Sequence, residues 1–134
     1  MRILIVEDEP KVAGFLKKGL EEESWTVNTA INGIEALNIM QKLEFDALIV
    51  DIMMPRMDGL QFLAALRADL ETSRIPVIIL TALGHGIRKS MRNLRAFTII
   101  SKPFSPQLLM EEVREAMMVA KKHKPPLLAE ERHA

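Results

Sequence analysis

Cysteine is absent from the 134 residues. That excludes Cys-ligated zinc, iron–sulfur clusters, thiol catalysis and disulfide staples, and it suits a reducing, cytoplasmic compartment. Tyrosine is absent as well, and one Trp with five Phe make up all the aromatic residues, so platforms for stacking nucleic-acid bases are scarce. Eighteen bases against 18 acids leave no net charge, which argues against a dedicated nucleic-acid binder. Long apolar runs are missing too. Ile3, Leu4, Ile5 and Val6 are interrupted by Glu7, Asp8 and Glu9, far short of a signal segment or a membrane span. No targeting segment and no membrane partner are expected. One absence is local: residues 72–110 hold six bases and no acid, whereas residues 1–71 hold 13 acids and seven bases.

What is present is a chain 49% apolar and long enough to bury a core as one domain. Residues 3–6 are too few for a helix and rich in β-branched side chains, which predicts a buried strand. Pro10 suits a first helical position, with Glu9 or Asp8 as cap, and Val12, Phe15, Leu16 and Leu20 recur at helical spacing up to about Glu23. Residues 25–30 alternate as a strand and close on the turn signal Asn32-Gly33. A helix over 34–43 follows, with Ile34, Leu37, Ile39 and Met40 on one face. Three further units repeat the pattern: strand 47–50 before helix 60–70, 77–80 before 87–94, and 99–100 before 108–120. Parallel neighbours need crossover connections, and the crossovers cover the sheet. The expected class is therefore α/β, a flavodoxin-like (βα)5 three-layer sandwich with strand order 2-1-3-4-5 and a ligand site outside the carboxyl ends of the strands.

Those carboxyl ends carry the chemistry. Glu7 and Asp8 follow the first strand, Asp51 the third, Thr81 the fourth, Ser101 and Lys102 the fifth. Any one of these could be a helix cap or turn former. Together they put three carboxylates, a hydroxyl and an ammonium at one rim. Carboxylates about 5 Å apart repel by roughly 3 kcal/mol per pair at an effective dielectric near 20, a cost a cation removes. The donors are all oxygens, and His85, His123 and His133 lie away from strand ends, which favours Mg²⁺ over zinc or copper. A carboxylate beside Mg²⁺, a hydroxyl and a lysine has the parts for phosphoryl transfer, with Asp51 the best placed nucleophile.

At these residues the sequence resembles the receiver domains of two-component response regulators. The matching segments are Ile3-Leu4-Ile5-Val6-Glu7-Asp8-Glu9, Asp51-Ile52-Met53-Met54-Pro55-Arg56-Met57-Asp58-Gly59, Pro76-Val77-Ile78-Ile79-Leu80-Thr81-Ala82 and Lys102-Pro103-Phe104, in order over residues 1–120. The resemblance implies that Asp51 is the phosphoacceptor and that Glu7, Asp8, Asp51 and the Met53 backbone carbonyl bind Mg²⁺. It further implies that Thr81 hydrogen-bonds the phosphoryl group, that Lys102 pairs with it, and that Lys102-Pro103 is cis. Gly59 is expected to supply a backbone conformation other residues disfavour. The partners implied are a sensor histidine kinase or phosphotransfer protein upstream and a protein downstream. A domain over 1–122 with a tail or linker stub over 123–134 is expected, catalysing only its own phosphorylation and dephosphorylation.

Three features depart from the family. Ile99 stands where receivers carry a Tyr or Phe three residues before the lysine, with Phe97 two residues earlier, and the Thr81 to Lys102 spacing is about one residue short. Arg88, Lys89 and Arg92 on the 87–94 helix and Arg95 just past it lie at offsets of three and four, so most share a face, either a solvated cationic face or a docking surface for an acidic partner. The stretch Met110-Glu111-Glu112-Val113 is acidic at the position where winged-helix regulators place a base for dimerisation, which argues against that dimer mode. The alternative function is a receiver-like interaction module whose output does not depend on phosphorylation. A hydrolase with an aspartyl intermediate is weaker, since Met53 stands where such enzymes carry a second acid.

Overall fold

The β-branched runs pair side by side, each reached through a helix. The computed structural model describes residues 1–52, 59–82 and 96–123. Within them the chain runs β1 (Arg2–Val6), α1 (Pro10–Glu21), β2 (Thr26–Ala30), α2 (Gly33–Met40), β3 (Ala47–Asp51), α3 (Gly59–Ala68), β4 (Val77–Thr81), β5 (Thr98–Ser101) and α4 (Pro106–His123). The five strands form one parallel sheet in the order β2-β1-β3-β4-β5. The 87–94 helix expected from the sequence and the bases Arg88, Lys89, Arg92 and Arg95 lie outside the described residues, as do Met53, Leu83, His85 and residues 124–134. No helix among the described residues is long and apolar enough to cross a membrane.

Strand alternation divides the core in two. Leu4, Val6, Leu48, Val50, Val77 and Ile79 face α2 and α3, where Ala36, Phe62, Leu63 and Leu66 cover them. Ile3, Ile5, Ala47, Ile49, Ile78 and Leu80 face the other way, onto Leu16 and Leu20 of α1 and Leu109, Val113, Ala116 and Met117 of α4. Both faces of the central strands are buried, so those strands read as unbroken apolar runs.

Two helical positions depart from the spacing argument. Phe15 is 60% exposed, and Ala13 takes its place among the buried residues of α1. Ile34 is 44% exposed, with Gly33 and Ala36 buried instead. In both helices the apolar stripe is wider than the strip that touches the sheet. α1 stops at Glu21, short of the expected Glu23, because the chain turns out through Ser24 at φ 67°, a left-handed conformation glycine more often takes.

Gly59 is required for a reason other than the expected one, since no glycine described has positive φ. A Cβ there would stand 2.5 Å from Ile52 Cα and 3.2 Å from the Asp51 carbonyl oxygen. The N-terminus of α3 is thus pressed onto the end of β3, and Gly59 N–H donates to Ile52 O at 3.0 Å. Gly59→Ala is expected to cost about 1–3 kcal/mol, because main chain rather than a flexible side chain must move. Urea denaturation checks it: an unchanged midpoint would show the contact to be soft.

Candidate functional site

Parallel pairing carries the functional residues to one rim. Val6 lies opposite Val50, so the next residues, Glu7 and Asp51, emerge side by side from β1 and β3. Asp51 lies opposite Leu80, and Thr81 opposite Ser101, which brings Thr81 and Lys102 to the same edge. The ladder continues one step past the strands: Glu7 N–H donates to Ala30 O at 2.9 Å, Ile52 N–H to Leu80 O at 3.1 Å and Lys102 N–H to Thr81 O at 2.7 Å. Glu7, Thr81 and Lys102 are thus anchored by their own main chain.

Carboxylate oxygens of Glu7, Asp8 and Asp51 lie within 4.8 Å of one another. Lys102 Nζ donates to Asp51 Oδ2 at 3.1 Å and stands 3.6 Å from Glu7 Oε1. Glu7 is 1% exposed; its Oε2 accepts the Glu9 N–H at 3.2 Å, while Oε1 is buried without a hydrogen-bond partner. The Lys102 ammonium faces this oxygen from beyond hydrogen-bond reach, so a buried acceptor is left without a donor, a costly state that a bound cation relieves. Three carboxylates around it offer the hard oxygen donors Mg²⁺ prefers. Thr81, 1% exposed, sits at the same rim. The Lys102-Pro103 peptide is cis, and beside Lys102 a crevice of about 670 Å³ opens between Val12 and Phe15 of α1 and Pro103 and Phe104.

The electrostatics follow from the crowding. Burial pushes the Glu7 carboxyl up to about 7; the Asp51 charge and an Asp8 hydrogen bond add to this, against the Glu9 amide and the Lys102 charge. For Lys102 burial is the largest influence and pulls the ammonium down, but its hydrogen bond and charge pairing with Asp51, and then Glu7, outweigh burial and raise it. A carboxyl whose folded pKa exceeds its ordinary 4.5 stabilises the fold below that value and loses the contribution as pH rises through 7. Metal-free protein is therefore expected to lose about 3 kcal/mol from this group between pH 4.5 and 8, and Glu7→Gln to remove that slope. Urea titrations of both proteins at a series of pH values measure it; parallel profiles would contradict it.

The structure brings together Glu7, Asp8, Asp51 and Lys102 and sets Thr81 at their rim, while Met53 lies outside the described residues. Sequence reasoning missed the unpartnered Glu7 oxygen and the Glu9 amide that orients the other, since neither spacing nor composition reports a hydrogen bond. Ile99 is half-buried against the α2–α3 side of the sheet, and Phe97 packs on the opposite side. The aromatic nearest in sequence therefore does not stand in for the one Ile99 replaces.

Residues 3–114 match the family model described as "Response regulator receiver domain". The probable transcriptional regulator ycf29 of Porphyra purpurea is 34% identical over 113 residues, 84% of this chain and 54% of that protein. The DNA-binding dual master transcriptional regulator RpaA of Synechocystis is 33% identical over 115 residues, 84% of this chain and 47% of that protein. The chain thus spans about half the length of the curated relatives it matches. Among solved structures, the signal receiver domain of a signal transduction histidine kinase from Syntrophus aciditrophicus superposes with a TM-score of 0.85 at 32% identity, covering 96% of this chain and 98% of that one. The chemotaxis protein CheY4 of Vibrio cholerae gives 0.80 at 29% identity, covering 86% and 97%.

Proposed function

This chain belongs to the response regulator receiver family of two-component systems, and from that premise we propose that Asp51 is its phosphoacceptor, charged by a sensor histidine kinase or phosphotransfer protein. The observation that carries the reading is a buried Asp51 carboxylate that accepts from the Lys102 ammonium and lies within 4.8 Å of the Glu7 and Asp8 carboxylates, with Glu7 Oε1 left without a hydrogen bond. In the transfer, an Asp51 carboxylate oxygen bonds to phosphorus as the bond from phosphorus to the donor's imidazole nitrogen breaks, and the imidazole leaves with the electron pair. Lys102 orients Oδ2 beforehand and balances the phosphoryl charge afterwards. The Thr81 hydroxyl donates to a phosphoryl oxygen. Glu7, Asp8, Asp51 and the Met53 carbonyl would hold Mg²⁺, which would neutralise charge on the phosphoryl oxygens.

The signalling unit is residues 1–122, with 123–134 a tail or linker, and its chemistry is confined to its own phosphorylation and dephosphorylation. Its downstream partner is an acidic protein met through Arg88, Lys89, Arg92 and Arg95, in keeping with the scarcity of aromatics for base stacking. Incubation with a small phosphodonor and Mg²⁺ is expected to add one phosphoryl mass, and chelation to prevent it. An intact folded chain that gains no such mass overturns the proposal. Met53 and Leu83, two residues beyond Asp51 and Thr81, are bulky and apolar, which disfavours an attacking water. The adduct is expected to persist for minutes or longer by mass spectrometry; decay within seconds would contradict this.

A second reading is favoured by one observation, Ile99 half-buried against the core where an aromatic switch is expected. Under it, phosphorylation leaves the partner surface unchanged. Amide spectra with a phosphoryl mimic separate the two: shifts reaching β5 support the switch, and shifts confined to the Asp51 rim support the ungated module.

A further inference from the structure

Two helices cover the same face of the sheet, and they are unequally held. α4 follows Ser105, whose hydroxyl accepts the Gln107 and Leu108 N–H groups, and it buries Leu109, Val113, Ala116 and Met117. α1 follows Glu9, whose side chain makes no cap hydrogen bond, and it buries Leu16, Leu20 and the small Ala13. Gly14 and Gly19 lie inside α1, and nothing stands within 4 Å of where a Cβ of either would be. No close approach demands these two, in contrast to Gly59, and each weakens the helix relative to alanine. A helix of 12 residues is marginal without packing to hold it. Between α1 and α4 lies a groove of about 880 Å³, and the tie across it is the surface ion pair of Glu23 and Arg114, a contact of small worth in water.

The start of this weakly held helix is tied to the carboxylates. Ala13 N–H donates to Glu9 O at 3.0 Å, and Glu9 N–H donates to Glu7 Oε2 at 3.2 Å. The first turn of α1 thereby fixes the peptide that orients Glu7, with Asp8 between the two. We infer that α1 opens as a unit while the sheet stays closed, and that a cation held by Glu7 and Asp8 closes it. The coupling rests on the metal site proposed above; the opening does not. When α1 melts, Glu9 O loses the Ala13 amide and the Glu9 peptide is free to turn. Glu7 Oε2 then loses its donor, and the carboxylates lose their fixed spacing. A cation that binds the fixed arrangement opposes that loss, so its occupancy sets how much of α1 is closed. β1 is paired on both sides, by β2 and β3, and opens only with the sheet. The two elements thus belong to opposite ends of the range of local stabilities within one fold.

Amide hydrogen exchange of the full chain at a series of low urea concentrations tests the inference. After correction for intrinsic rates, the interior amides of metal-free α1 are expected to exchange at least ~100-fold faster than those of β1. They should share one opening that depends little on urea, whereas fraying would grade from the helix ends inward. Gly14→Ala and Gly19→Ala place a methyl group in open space, so both variants fold, and each is expected to slow α1 exchange about fourfold, the pair at least ~tenfold. Mg²⁺ at about a hundred times the dissociation constant found by calorimetry on the same sample is expected to slow α1 exchange at least ~tenfold. α1 protected as strongly as β1, exchange graded from its ends, or rates unmoved in the alanine pair overturns the opening. Mg²⁺ bound by calorimetry with α1 rates unchanged overturns the coupling. No Mg²⁺ uptake by calorimetry overturns the metal site and the coupling with it, and the alanine pair then still decides the opening.

Discussion

Asp51→Asn is expected to lower phosphoryl uptake from a small phosphodonor by more than ~10³-fold, because an amide oxygen carries no charge with which to attack phosphorus. The same change removes one of three carboxylates that approach within 4.8 Å, and is expected to weaken Mg²⁺ binding at least ~tenfold. The variant should remain folded: the Asp51 main chain is held by the β3–β4 ladder, and Lys102 keeps Glu7 at 3.6 Å. Mass spectrometry after phosphodonor treatment and calorimetric Mg²⁺ titration read the two effects separately. Undiminished uptake in a folded Asp51→Asn protein would move the acceptor role to another carboxylate, Asp8 being the neighbour to test. Unchanged Mg²⁺ affinity would leave the acceptor role intact but take Asp51 out of the metal site.

Lys102→Met is expected to destabilise the metal-free protein by about 3 kcal/mol at pH 8, since the ammonium bridges Asp51 and Glu7 and its loss leaves their buried charges uncompensated. The sign of the pH dependence follows from both shifts. Lys102 has a raised pKa, so its stabilising contribution is complete everywhere below the ordinary 10.5 and does not fade toward neutrality. Glu7, by contrast, takes up a proton as pH falls below about 7 and then no longer needs a counter-charge. The defect is therefore expected to shrink toward pH 5, and millimolar Mg²⁺ to offset part of it at pH 8. Denaturant midpoints at both pH values, with and without Mg²⁺, measure this. A loss of stability equal at pH 5 and pH 8 would show that Lys102 acts through the packing of its stem rather than its charge.

Most of the fold was legible from the chain because central strands buried on both faces must be continuously apolar, and Ile3 to Val6, Ala47 to Val50 and Val77 to Leu80 are. Once five such runs alternate with amphipathic stretches, crossover geometry leaves few sheets to build. The rim was legible for the same reason: parallel strands put every carboxyl end on one side, so Glu7, Asp51, Thr81 and Lys102 needed no coordinates to be grouped. Helix faces were read less well. The periodicity around Phe15 and Ile34 is genuine, but a stripe that repeats every three or four residues does not state how much of its width the sheet will cover.

The residues alone determined the class of fold and the oxygen-rich donor set, because these follow from one-dimensional patterns of burial and from side-chain chemistry, while the expected strand order was one of a few that alternation allows and is the one found. Only the tertiary structure decided that one Glu7 oxygen is buried without a donor, that Gly59 is demanded by contact with Ile52 rather than by its φ, and that Phe15 faces water. Each depends on distances between elements far apart in the chain, and a spacing pattern within one element carries no information about what packs against it.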